Sequence, residues 1–499
     1  MPYVSFELRG GPTVARLVSG LLQQAGHIVE PTFTPAMLDH VAALHDRAEA
    51  LAKARRKSGE ATPFTSGQQE LVDVTPLGGA PPRGAPAVRV DLAEVRQVYV
   101  PDLGIARALH AALGQIPGVR RVFPIARVTL PGDDPAVDDP ATADPQAEDP
   151  LASCLTTPAS TGYLDEGLGL DVRELWTQWE PEAGVLARGS GARIGIIEQD
   201  WPPKLPSNIA PPRNPITVGP SVDNWRLHAT MDLAILAALG DPASTDPTLK
   251  ETPEGIAPGT LVFRISLTKL LSSQIKAETY AGHVAGAISV LASRLTKADK
   301  DGGAGAVLLV EAQLEDDQKQ LTPVTADPVV REVIRAATAA GVLVVVPSSN
   351  MRAPLAGSDV DDPSDDELGP LMVGGVWPSG LLQANTCGEL VVADCRYGPR
   401  VDCFAWASAV KSLDPNGMAT GHSGTSSASA IIASAACLLQ SAYLAKTGAQ
   451  LLPAALRAAL RHRGLGRAAI TWETGAPTTD HVGVMPDLPA IFAAITAPE

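Results

Sequence analysis

Residues Ala339–Asn350 read AAGVLVVVPSSN. Gly341 closes one pattern, and Val342–Val346 opens another that is unbroken, apolar and rich in β-branched residues. Strict alternation would mark a strand with one wet face. An unbroken run marks a strand buried on both faces. The stretch before it, Val329–Ala340, has helical spacing. The same couplet recurs on either side. Strands are expected at Arg193–Ile197, Leu261–Leu267, Ala306–Glu311, Leu371–Val376 and Val401–Trp406. Helices are expected at Leu168–Trp179, Leu227–Leu239 and Ala277–Leu295. Alternating helices and continuous apolar strands predict an α/β fold: a parallel sheet with helices on both faces. Sites in such sheets lie beyond the carboxyl ends of the strands, so the polar residues just after each strand matter most.

Four of those positions carry chemistry. Glu198 follows RIGII, and Asn350 follows GVLVVVPSS. His228 opens the helical pattern LHATMDLAILAAL. Gly421–Ser429, GHSGTSSAS, leads straight into the Ala-rich AIIASAACLLQ. A serine at such a junction has its hydroxyl beside the free N–H groups of a helix start. A Ser-rich helix cap gives the same pattern, so the serine alone decides nothing. Together, an acid, a base, a nucleophile and an amide donor are the parts required for acyl transfer.

The 499 residues are enough for two or three domains. The net charge of −16 argues against a nucleic-acid partner. No apolar run reads as long enough to span a membrane. MPYVSFELRGG lacks a basic segment followed by an apolar one, so a cytoplasmic protein is expected. Five cysteines (Cys154, Cys387, Cys395, Cys403, Cys437) suit reduced thiols better than a disulfide framework. The eight-residue spacing of Cys387, Cys395 and Cys403 is not a zinc pattern, so no metal site is expected there. GGAGA at 302–306 precedes a strand and is followed by no GK[ST], so it is not a phosphate loop.

Residues 1–131 form a first, smaller unit of α+β character. It has a helix at Met37–Lys57, strands at Val95–Val100 and Val119–Val128, and a helix at Leu103–Leu113 between those strands. Gly132–Pro150 has a proline every fifth residue, seven acidic residues and no basic one. Such a stretch cannot bury apolar surface. Residues 132–159 are therefore expected to be a linker, and 160–499 the main domain.

The ordered motifs resemble the subtilisin-like serine proteases. ARIGIIEQDW (Ala192–Trp201) resembles the strand ending in the family's acid, and HAT (His228–Thr230) its HGT. GIAPGTLVFRISL, VLLVEAQ, AAGVLVVVPSSN, RYGPRVDCFA and GTSSAS follow in the family's order. The resemblance runs from about residue 162 to the end. It implies Ser426 as nucleophile, His228 as general base, and Asn350 with the Ser426 N–H as the oxyanion hole. It implies a protein or peptide substrate and no required cofactor. The acid departs from the pattern: Glu198 stands where the family has Asp, and Asp200 where it has the following Gly, so either carboxylate can orient the histidine. Met231 replaces a second His, and Ala430–Ile431 replaces Pro-His. Glu311 stands on the substrate strand in place of Ser, suited to a basic substrate side chain or to an ion pair within the fold. Ser348 and Ser349 are further substrate-side candidates. His283, in AGHVAGA, has the wrong place in the order, and His422 reads as a rim or loop histidine. The acidic loop Ser358–Glu367 offers carboxylates for calcium but lacks the EF-hand order, and a solvated loop is the simpler reading. The resemblance also casts the first unit as a propeptide-like inhibitor, the chain's own partner. A second class of function stays open, motivated by Glu198 and Met231: an impaired relative that binds peptides or a partner.

Overall fold

The computed structural model describes residues 3–8, 18–19, 22–23, 28–31, 35–58, 92, 95–99, 103–116, 119–123, 126–129, 160–165, 169–179, 187–210, 223–267, 281–297, 305–316, 319–355, 368–378, 390–392, 395–470, 477–478 and 482–497. The linker reading (132–159), the acidic loop Ser358–Glu367, Cys154 and Cys387 lie outside them.

The chain begins with β1 (Tyr3–Leu8), β2 (Ile28–Pro31), α1 (Pro35–Ser58), β3 (Val95–Tyr99), α2 (Leu103–Leu113), β4 (Val119–Val122) and β5 (Ala126–Thr129). β1 to β4 form an antiparallel sheet in the order β2-β3-β1-β4. The two-residue period of β1 sends Val4, Phe6 and Leu8 into a small core with Val98 and with Ala106 and Leu113 of α2. Glu7, on the other face, is buried against Arg120 at 2.9 Å and Arg121 at 3.2 Å. The single strand expected over Val119–Val128 is divided. β4 stays in the first sheet, and β5 pairs antiparallel with a strand of the main sheet region.

The main region runs through α3 (Val172–Trp179), β6 (Arg193–Glu198), α4 (Asp223–Ala237), β7 (Leu261–Ser266) and α5 (Ala281–Thr296). It continues with β8 (Ala306–Val310), β9 (Gln313–Asp316), β10 (Leu321–Pro323), α6 (Pro328–Ala339) and β11 (Val342–Pro347). Then come β12 (Ala353–Pro354), β13 (Leu371–Pro378), β14 (Leu390–Val392), β15 (Arg396–Tyr397), β16 (Cys403–Trp406), β17 (Val410–Leu413) and β18 (Ala419–His422). Helices α7 (Gly424–Thr447), α8 (Pro453–Leu460) and α9 (Leu488–Ile495) complete it. Six strands pair in parallel in the order β7-β6-β8-β11-β13-β16. β14 adds antiparallel to β13.

Every residue of β6, β8 and β11 is buried. Helices therefore cover both faces of the sheet, as their unbroken apolar runs require. α5 packs with α6, and α4 packs with α7. Asp327 starts α6 by accepting from the N–H groups of Val329 and Val330, with Pro328 at the first helical position. α7 ends where Gly448 turns left-handed at φ 73°. By length and composition α7 could cross a bilayer, which the sequence reading had excluded for every run. Its most apolar 18-residue stretch is instead 89% buried, as in a core helix.

Among the described residues, α1 and β5 both reach the region from α3 onward. α1 packs on α5 and α6, and its Met37, Val41 and Leu44 belong to the large core. His40 Nδ1 lies 3.2 Å from Ser293 Oγ on α5. β5 completes a three-stranded sheet, β10-β9-β5, with Thr129 opposite Gln313 and Ala126 opposite Asp316.

Candidate active site

The carboxyl ends of β6, β8 and β11 deliver Glu198, Glu311 and Asn350 to one end of the sheet. α4 contributes His228 and, one turn on, Asp232. Glu198 has no solvent exposure and reaches His228 with both oxygens, at 3.1 Å and 3.3 Å from Nδ1. Asp232 Oδ2 lies 3.1 Å from the same nitrogen. The hydrogen bond assigned to Nδ1 goes to Glu198, and Asp232 is in ion-pair contact with it. Asp232 Oδ1 lies 2.7 Å from His422 Nε2. The two imidazoles meet edge to face, 5.3 Å between centroids.

Asp200, the other candidate acid, is buried but faces Arg226, with Nε at 3.8 Å. The structure thus brings Glu198 to His228 and turns Asp200 toward a guanidinium. His422 is not a rim residue. It is buried at the end of β18, held by Asp232. His283 sits on α5, and burial pushes its imidazole down to about 4.

Charge is unevenly distributed in this cluster. Burial pushes Glu198 well above the ordinary carboxylate range, and His228 opposes that rise. Burial would lower His228, but Glu198 and Asp232 outweigh it and hold the imidazole well above its usual range. Burial acts on Asp232 too, yet His228 and His422 dominate and keep it far below the usual carboxylate range. Asp232 is thus held toward its ionised form, and Glu198 and His228 are both held toward their protonated forms.

Glu311 follows β8 with no exposure, and burial followed by repulsion from Asp232 and Glu198 drives it well above the normal range. Its Oε1 accepts from Ser429 Oγ at 2.8 Å. The ion pair suggested for it has no counterpart among the described residues, where its partner is this hydroxyl.

Asn350 is fixed from two sides. Gln313 Oε1 accepts from its backbone N–H at 3.0 Å and from Ser349 Oγ at 2.9 Å. Ser349 has a φ of +89°, a strained value for a side-chain-bearing residue. Asn350 Oδ1 accepts from Thr425 N–H and Oγ1, both at 2.7 Å. A backbone N–H can only donate, so the oxygen is assigned and Nδ2 remains a donor. Gly424 makes room for that amide: its φ is +84°, and a Cβ there would stand 2.8 Å from Nδ2. Ser348 is buried with no exposure beside Ser349.

Ser426 lies in the first turn of α7, buried. Of its neighbours, Ser427 Oγ is within donor reach of Trp406 O and Gly424 O, and Ser429 is tied to Glu311. Met231 and Ala430–Ile431, where the resemblance departs from its pattern, are packing positions. The Met231 carbonyl also accepts from Ser412 Oγ at 2.6 Å. His228, Asp232 and His422 present ligating atoms within 4.8 Å of one another, a spacing a metal ion could also bridge.

Two residues of the cluster, Asp232 and Gln313, were not singled out from the sequence, and His422 was placed on the rim. Asp232 had a usable signal, its four-residue offset from His228 on a predicted helix.

No family model and no curated protein matches the chain. Solved structures do. The prenylagaramide maturation protease PagA is 16% identical over 66% of this chain and 99% of its own, at a TM-score of 0.45. The S41 psychrophilic protease is 18% identical, over 60% and 91%, at 0.43. A cold adapted subtilisin-like serine proteinase is 18% identical, over 60% and 88%, at 0.37.

Proposed function

We propose that the chain is a subtilisin-like serine endopeptidase restrained by its own N-terminal region. The observation that carries the reading is the contact of Glu198 with His228 Nδ1 at 3.1 Å, at the sheet end where Asn350 meets the first turn of the Ser426 helix. With Nδ1 held by a carboxylate, Nε2 is the nitrogen left to take a proton. In this reading His228 removes the Ser426 hydroxyl proton as the oxygen attacks the peptide carbonyl. The developing oxyanion accepts from Asn350 Nδ2 and from free N–H groups of the helix start. His228 then returns its proton to the leaving amine, and water repeats the sequence on the acyl-enzyme.

The restraint is supported by β5. It pairs antiparallel with β9, the strand that begins two residues after Glu311, along Gln313–Asp316. An extended segment held there by backbone hydrogen bonds occupies an edge that an extended peptide substrate would use. Protein or peptide substrates and a cytoplasmic location belong to the same proposal.

Intact-mass spectrometry of the purified chain beside its Ser426→Ala variant tests both parts. The expected result is self-cleavage within 132–150 in the parent alone, with hydrolysis of unfolded casein appearing as the cut accumulates. An intact parent that also leaves casein uncut would overturn the reading.

A further inference from the structure

Asp232 belongs to no motif that marked the site. It is 1% exposed, one turn after His228 on α4. Each of its oxygens faces a different imidazole: Oδ2 at 3.1 Å from His228 Nδ1, and Oδ1 at 2.7 Å from His422 Nε2. We infer that Asp232 is a second positioning carboxylate for His228, one that also locks the histidine helix to the strand leading into Ser426.

The need for it follows from Glu198. That carboxylate straddles Nδ1 with nearly equal distances, 3.1 Å and 3.3 Å. A straddling contact fixes the ring less firmly than one short in-line bond. Asp232 adds a restraint from His228's own helix, where i and i+4 side chains share a face. Its second oxygen reaches β18, which pairs with β17, and β17 in turn is bonded to α4 through Ser412 and the Met231 carbonyl. β18 runs directly into α7 through Ser423, the N-cap of the helix that carries Ser426. The base and the nucleophile are thereby referenced to one rigid link. Among the described residues, the titratable groups around the imidazole are Glu198 from β6, Glu311 from the end of β8, Asp232 from α4 and His422 from β18. Among the described carboxylates of this cluster, Asp232 alone faces two imidazoles.

The inference rests on His228 being the base for Ser426, so the test separates the two. Nitrogen-15 histidine NMR on the full chain follows the His228 titration, assigned by its loss in His228→Gln. Removing an anion from beside an imidazolium lowers its pKa. Asp232→Asn is expected to move the His228 titration down by about one pH unit or more. Asp232→Glu is expected to restore part of the shift. Asp232→Ser serves the same purpose should the amide disturb folding. In parallel, the rate of Ser426 labelling by a fluorophosphonate is measured against pH. Its plateau is expected to fall about tenfold in Asp232→Asn, and its acid limb to move down with the NMR titration. A melting temperature that drops while the His228 titration and the labelling limb stay put would overturn the inference, leaving Asp232 a merely structural link. An NMR shift in a chain that never labels would uphold the positioning role and overturn the protease reading.

Discussion

Two buried carboxylate clusters lie in the same fold and are built on opposite plans. Around Asp402, one carboxylate meets three guanidiniums: Arg400 at 3.0 Å, Arg457 at 3.1 Å and Arg461 at 3.3 Å. It also accepts from the Met372 N–H at 2.9 Å. Burial opposes its ionisation, but the three cations win and hold it below the usual carboxylate range. Guanidinium does not give up its proton, so nothing in that cluster can move. Around His228, among the described residues, the three carboxylates of Glu198, Asp232 and Glu311 lie near two imidazoles and no guanidinium interacts with them in the cluster. There is more negative charge than fixed positive charge, so protons must complete the balance. A cluster completed by arginine is a clamp. One completed by protons can take and return them, which is what general-base chemistry needs.

The sharpest way to break the contrast is to disable the proton cluster at its acid. Glu198→Gln keeps the shape but donates where it should accept. The rate of hydrolysis is expected to fall about 10⁴-fold, the scale seen when a triad's acid becomes an amide. Asp200→Asn, directed at a carboxylate that faces Arg226, should change the rate less than about threefold. Steady-state kinetics on the two variants check this. Equal losses would contradict the assignment of Glu198.

Asn350→Ala removes the Nδ2 donor and the acceptor for Thr425. A loss of roughly 10²–10³-fold in kcat is expected, with KM little changed, because the oxyanion exists only in the transition state.

The arginine cluster should respond in stability alone. Asp402→Asn leaves three cations without their anion, two of them almost fully buried. A loss of about 3–5 kcal/mol in unfolding free energy is expected, by analogy with broken buried pairs. The pH dependence of any remaining activity should be unaltered.

The smallest effect is the pH dependence of stability, where the depressed carboxylates Asp402 and Asp232 act with one sign and the raised groups around His228 with the other. Asp402 is depressed in the folded state. Its contribution is complete above its unfolded value, about 3.9, and is lost as pH falls through the folded one. Glu198, Glu311 and His228 are all raised. The folded chain holds protons that the unfolded chain releases, so their contribution declines as pH rises through the raised values. Thermal unfolding of Ser426→Ala across pH 3–10 should show both limbs. Glu311→Gln should flatten only the alkaline one.

The sheet was legible because its strands are two-sided. Val342–Val346 and Ala306–Val310 carry no alternation, and only a covered parallel sheet buries such runs. Glu198, Asn350 and Ser426 stood out because each follows a strand or opens a helix. The failures have local causes. His422 looked peripheral since nothing in GHSG announces that Asp232, 190 residues earlier, would be its partner. Gln313 was passed over because its amide acts on another residue's backbone. The division of Val119–Val128 into β4 and β5 had a local signal that was passed over, Pro124 between them, since proline interrupts a strand. VRRV and ARVT then pair with different partners, β4 with β1 and β5 with β9.

The claim on which the account depends is that Ser426 is a nucleophile served by His228. Incubation of the full chain with a fluorophosphonate, followed by peptide mass spectrometry, tests it directly. The account predicts one adduct per chain, on Ser426, absent in His228→Ala and unaffected by denaturation-sensitive changes at Asp402 so long as the fold persists. An adduct on Ser423, Ser427 or Ser429, or labelling of Ser426 that survives loss of His228 undiminished, would contradict it.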